Sequence, residues 1–118
     1  MNIKEPITIF VQIAERICDE ILLSHYKDDE RIPSVREYAA IVEVNVNTVV
    51  RSYEYLQNGG ILYNKRGLGY FVTPGARKHI LQVRRKKFRE SELPEFVAKM
   101  RQLSIPLSEI EDMLNKTR

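Results

Sequence analysis

Between Ser34 and Gly60 the chain reads SVREYAAIVEVNVNTVVRSYEYLQNGG, two helix-forming runs with only Glu43, Val44 and Asn45 between them. Ser34 with Glu37 three residues on has the form of a capping box, which predicts a short helix over Val35 to Val42. Asn45 can cap a longer helix over Val46 to Asn58, and Gly59 and Gly60 end it, because glycine tolerates the left-handed backbone found past a helix C-terminus. Ala39 and Ala40 are small enough for another helix to cross closely. Helix, tight turn, helix is the pattern that most constrains the fold.

The longer helix has two unlike faces. At 100° per residue, Val49, Ser52, Tyr53 and Leu56 lie together, and Asn47, Arg51, Glu54 and Asn58 lie opposite. The apolar side anchors the helix. Asn47 and Arg51 project together from its first turns, where an amide can pair with adenine and a guanidinium with guanine in a DNA major groove. Asn45 and Thr48 suit phosphate, since a helix N-terminus offers free N–H groups and partial positive charge. Glu54, one turn later, would be repelled by phosphates, so the helix should tilt with its N-terminal part deepest.

After the glycines, ILYNK and GYFVT carry the aromatic and β-branched residues of strands, with Arg66-Gly67-Leu68-Gly69 between them as a hairpin tip. Lys65 and Arg66 can reach phosphates or a minor groove, and Gly67 and Gly69 allow close backbone approach. Ahead of the helix pair, Thr8 to Leu23 is helical, with one apolar stripe at Phe10, Ile13, Ala14, Ile17 and Ile21 and another at Val11, Cys18 and Leu22. One stripe can fill the core and the other can face a partner. Beyond Pro74-Gly75 the pattern is helical again, with a kink or break expected at Pro94 and a last helix starting near Ser108, capped by Ser108 with Glu111. The expected fold is mainly α with a small β-hairpin: a winged helix-turn-helix domain over 1–74, with recognition helix 46–58 and wing 62–73, and a helical tail over 75–118.

Charge follows the same division. Residues 31 to 89 hold twelve basic and three acidic side chains, while the segments on either side are net acidic. A basic middle suits a polyanion, and Arg36 belongs to it. The run Arg84-Arg85-Lys86-Lys87 points around much of a helix and reads as solvated surface more readily than as a specific contact. The single cysteine, Cys18, allows no internal disulfide and no metal-ligand spacing, which fits a reducing cytoplasmic setting. No apolar run approaches the roughly 18 residues of a membrane span. His25 and His79 lie far apart, and neither a nucleophile-base set nor paired carboxylates can be assembled, so no enzyme and no cofactor are expected.

IPSVREYAA, VNVNTVVRSYEYLQNGGIL and KRGLGYFV, in this order, together with PI-x-x-x-x-QIAERI and the G-x-G-x-F-V wing, resemble the winged helix-turn-helix of the GntR family of bacterial transcription regulators over roughly residues 6–74. The short helical tail resembles the YtrA-like subgroup, in which it serves dimerisation. The resemblance implies DNA contacts at Ser34, Arg36, Asn45, Asn47, Thr48 and Gly67, and Arg51 matches the arginine of an N-T-V-x-R-A-Y variant. Val46 departs from the basic or proline residue frequent at its position, which implies a different base preference. The resemblance further implies a double-stranded palindromic operator bound by a homodimer, commonly as a repressor, and with the second stripe of helix one the expected homodimer is joined through helix one and the C-terminal helices. A winged-helix module that binds protein and ignores DNA sequence is the alternative. A small-molecule effector is left open.

Overall fold

The computed structural model describes residues 7–117, so Pro6 of the first-helix motif lies outside the described residues. The chain divides into two compact units, Met1–Leu81 and Gln82–Arg118. The first holds α1 (Ile9–Leu22), α2 (Val35–Val42), α3 (Val46–Asn58), β1 (Leu62–Lys65) and β2 (Gly69–Val72). α4 (Ala76–Lys87) begins in it. Its first turns bury Ala76 and Ile80 in the core, which is why the compact unit runs past the 74/75 boundary drawn from the sequence.

The local signals between 34 and 60 act as expected. Ser34 Oγ accepts from the Glu37 N–H, and the Glu37 carboxylate accepts from the Ser34 N–H, each at 3.1 Å, closing the capping box of α2. Glu43 ends α2 in the left-handed conformation without being a glycine. Asn45 Oδ1 accepts from the Asn47 N–H at 2.8 Å at the start of α3. At the other end Gly60, not Gly59, takes the positive φ, while Gly59 stays at −82°. The Ile61 N–H then reaches the Leu56 carbonyl at 2.9 Å, the bond that satisfies a helix C-terminus in this motif.

α1 and α3 cross around Ile13, Ala14, Ile17 and Ile21 on one side and Val49, Tyr53 and Leu56 on the other. Cys18 is buried as well, and Leu22 packs against the same core, so the second stripe of α1 is largely taken up inside the unit. This corrects the expectation of a free second face. Of the two small residues of α2, Ala39 is buried and Ala40 is exposed. Ser52, fully buried, shares its one hydroxyl proton between the Phe10 and Thr48 carbonyls, at 2.7 and 3.0 Å, which satisfies the hydroxyl where α1 meets α3. Glu20 on α1 accepts from the Tyr38 hydroxyl at 2.6 Å and the Tyr26 hydroxyl at 3.0 Å. Burial first and the Glu20 charge second push Tyr26 up to about 12, so it stays a donor at neutral pH.

The hairpin pairs Leu62 with Val72 through to Lys65 with Gly69, which places Gly69 in β2 and leaves Arg66, Gly67 and Leu68 as the tip. A third segment lies along β2, unforeseen from the sequence: Asp29 N–H donates to the Val72 carbonyl, Val72 N–H to Glu30, and Ile32 N–H to Tyr70, at 2.8 to 3.0 Å, with Arg31 opposite Phe71.

In the second unit a π-helical turn, Phe88–Glu92, precedes α5 (Leu93–Gln102). Pro94 lacks an N–H, and its ring would meet the Glu90 carbonyl in a regular helix. Widening the turn, with the Leu93 N–H reaching back to Phe88, relieves this. α6 (Leu107–Lys116) starts two residues earlier than a Ser108 cap implies and has Pro106, not Ser108, as its N-cap, with no side-chain cap. Proline's fixed φ suits the start of a helix, and Ser108, already helical, cannot cap it.

The Tyr53 hydroxyl donates to the Pro33 carbonyl at 2.6 Å from a fully buried ring. Tyr53→Phe leaves that carbonyl unpaired and should cost about 1–3 kcal/mol. A lowered denaturation midpoint with unchanged m-value is expected, and an unchanged midpoint would contradict this account of the core.

Candidate nucleic-acid interface

The capping interactions that start α2 and α3 also fix what their N-terminal residues can offer. The Ser34 hydroxyl oxygen accepts from the Glu37 N–H, and its single proton is engaged by the Glu37 carboxylate, so a phosphate at this helix start would take that proton over from Glu37. Glu37 is held below the usual carboxylate range, first by the Ser34 backbone N–H, then by the Ser34 hydroxyl, with the Arg31 charge a minor cause. Arg36 is exposed beside them. Asn45 uses its oxygen for the cap and keeps its NH₂ as a donor.

On α3 the division of faces follows the helical count. Val49, Ser52, Tyr53 and Leu56 are buried, while Asn47, Arg51, Glu54 and Asn58 are exposed and Thr48 is half-buried. Arg51 is not free to wander. Its guanidinium lies over the Phe10 ring of α1, 4.3 Å from the centroid, and Phe10 in turn meets Tyr55 edge-on at 5.9 Å. A guanidinium stacked this way keeps its in-plane N–H groups available.

The wing carries its own aromatic support. Tyr63 and Phe71 stack at 5.6 Å and 20°, the Lys65 ammonium sits 4.7 Å from the Phe71 centroid, and Tyr63 donates to Asp29 Oδ1 at 2.6 Å. The exposed tip turns through Gly67 at φ +79° and is closed by the Leu68 N–H donating to the Lys65 carbonyl at 2.8 Å. Lys65 and Arg66 are exposed on it. Two contributors escaped the sequence reading. Phe10 belongs by periodicity to an apolar stripe of α1 and nothing local marks it as a seat for a guanidinium, and Arg31, whose Nε donates to the Leu68 carbonyl at 3.0 Å, carries no local pattern that marks it.

In the second unit large apolar side chains stand exposed, among them Phe88, Phe96, Leu103, Leu107, Met113 and Leu114. Among the described residues no helix is long and apolar enough to cross a membrane, and no group of three or more His, Cys, Asp or Glu side chains could hold a metal ion.

Residues 10–72 match the family model described as bacterial regulatory proteins, gntR family. A crystal structure of a transcriptional regulator of the GntR family from Bacteroides thetaiotaomicron is 48% identical, with a TM-score of 0.80 over 93% of this chain and 96% of that one. The HTH-type transcriptional repressor YtrA of Bacillus subtilis is 25% identical over 92% of this chain and 82% of its own length. AraR(DBD), solved in complex with operator ORR3, is 25% identical, with a TM-score of 0.56 over 62% of this chain and 88% of that one. The wing, the capped pair α2 and α3 and these likenesses agree: the chain belongs to the GntR family and is a winged-helix, DNA-binding transcriptional regulator.

Proposed function

We propose that this regulator is a cytoplasmic repressor that binds a palindromic operator as a homodimer, reading bases with the first turns of α3 and holding phosphate with the start of α2 and the wing. The observation that carries this is the placement of Asn47 and Arg51 on the exposed side of a helix whose other side is locked into the core. An amide and a guanidinium one turn apart match the adenine and guanine edges of a major groove. Ser34, Arg36, Asn45, Thr48, Lys65, Arg66 and Gly67 supply the sequence-independent contacts around them. Stacking on Phe10 limits the freedom Arg51 loses on binding. Glu54, exposed further along, keeps the C-terminal half of α3 away from phosphate. Repression is carried over from the likeness to YtrA.

The domain roles follow: residues 1–74, completed by the first turns of α4, meet DNA, and 75–118 dimerise. α5 with the residue that ends it, and α6, leave Phe96, Val97 and Leu103, and Leu107, Met113 and Leu114, exposed, and a group of large exposed apolar side chains marks an interaction surface. Two-fold symmetry then requires inverted half-sites. Helix one contributes less than its sequence indicated, through Ile9 and Val11, because Cys18 and Leu22 are taken up in the core.

Selection of bound fragments from genomic DNA with the purified protein tests this proposal, and recovered sites should share an inverted repeat. Arg51→Ala should cost about 1–3 kcal/mol on the selected site and relax preference at one base position, whereas Lys65→Ala should weaken every duplex alike and lower the salt slope by about one. Equal loss on selected and scrambled duplexes for Arg51→Ala would remove its reading role. The paired change Met113→Glu with Leu114→Glu should give a folded monomer at micromolar concentration by sedimentation. A persistent dimer would contradict the assignment of the tail.

A further inference from the structure

We infer that Arg31 is a positioning residue for the wing, setting the angle at which Lys65 and Arg66 are presented to DNA; this rests on the DNA-contact reading above. A ribbon of two four-residue strands is marginal by itself and does not fix the direction of its tip. Arg31 reaches that tip from a segment far away in sequence, its Nε donating to the Leu68 carbonyl at 3.0 Å. The backbone around it is fastened to β2 on both sides, through Glu30 and Ile32, so the side chain works from a fixed base. Its Nη2 stands 3.8 Å from Glu37 Oε1, in the first turn of α2. Both side chains are more than half exposed there, so this pair adds direction more than stability.

Gly69 makes the arrangement possible. A Cβ at this position would lie 3.0 Å from Arg31 Nε, and the residue has φ +115°, which few L side chains adopt. The second wing glycine thus clears a path for the guanidinium as well as bending the chain. One arginine thereby joins the wing tip to the start of α2, two of the elements assigned to DNA contact, and the wing's basic side chains gain a fixed direction relative to Ser34 and Arg36.

The test is a double-mutant cycle on the full-length protein and its selected duplex, measured across salt concentrations with Arg31→Ala, Lys65→Ala and the pair. A positioning role predicts that Lys65→Ala loses about twofold or more of its effect once Arg31 is gone, and that the salt slope of the pair equals that of Arg31→Ala alone. Arg31→Lys, which keeps the charge but has no donor at the Nε position, should behave as Arg31→Ala does, and it serves as the second variant if Arg31→Ala does not fold. Additive losses, each lowering the slope by about one, with Arg31→Lys close to wild type, would make Arg31 a direct phosphate contact and overturn the inference while leaving the DNA reading in place. Absence of binding by the wild-type protein would overturn both.

Discussion

The ring of Tyr53 lies where three elements meet, and the orientation of the DNA-facing surface follows from how it is held. Its hydroxyl is bonded to the Pro33 carbonyl just ahead of α2, and its ring meets Tyr38 of α2 at 6.2 Å and Tyr70 of the wing edge-on at 5.0 Å. Each aromatic pair of this kind contributes about 0.5–1.5 kcal/mol beyond burial. More consequential is direction: with Tyr53 fixed, the opposite face of α3 can point only outward. Ser52 adds the same constraint toward α1 by donating to the Phe10 carbonyl. A helix held at two successive residues against three neighbours presents Asn47 and Arg51 from a rigid base, which is what base reading requires.

Around this hub the surface is built in layers of decreasing rigidity. The N-termini of α2 and α3 are closed by their own side chains, so Ser34 and Asn45 carry donors whose positions are fixed by the caps. The wing is a thinner structure, steadied by the Tyr63, Phe71 and Lys65 stack on one side and by the 29–32 segment on the other. The tail differs in kind, being helical yet poor in buried side chains of its own. In the proposed dimer a second copy covers its exposed apolar side chains.

What was legible in the sequence was what lies within a few residues. The capping box at Ser34 and Glu37, the Asn45 cap and the inward set Val49, Ser52, Tyr53 and Leu56 all follow from short-range geometry, and the structure has them as expected. Pro94 was legible for the same reason, since its conflict is with the preceding turn of its own helix. Contacts between distant segments were not. Arg31 meets Leu68 across 37 residues, and the 29–32 segment beside β2 has no alternation to mark it as a strand. Phe10 under Arg51 depends on the crossing of α1 over α3, which no periodicity reports. Ser108 failed as a cap because Pro106 already starts the helix. Among the candidate contacts, Arg36, Asn45, Asn47, Arg51, Lys65, Arg66 and Gly67 are exposed as the sequence pattern indicates, Ser34 and Thr48 are half-buried, and the supports that hold Arg51 and the wing were not readable.

In the proposed function the first turns of α3 read bases while the start of α2 and the wing hold the DNA backbone. Amide and side-chain NMR of the full-length protein, titrated with its selected duplex and then with a scrambled duplex of equal length, separates these two roles. Shifts at 34–37 and 65–69 are expected with both duplexes, and shifts of the Asn47 and Arg51 side-chain signals with the selected duplex alone. Identical shifts at Asn47 and Arg51 for the two duplexes, or none at either, would contradict the proposed function.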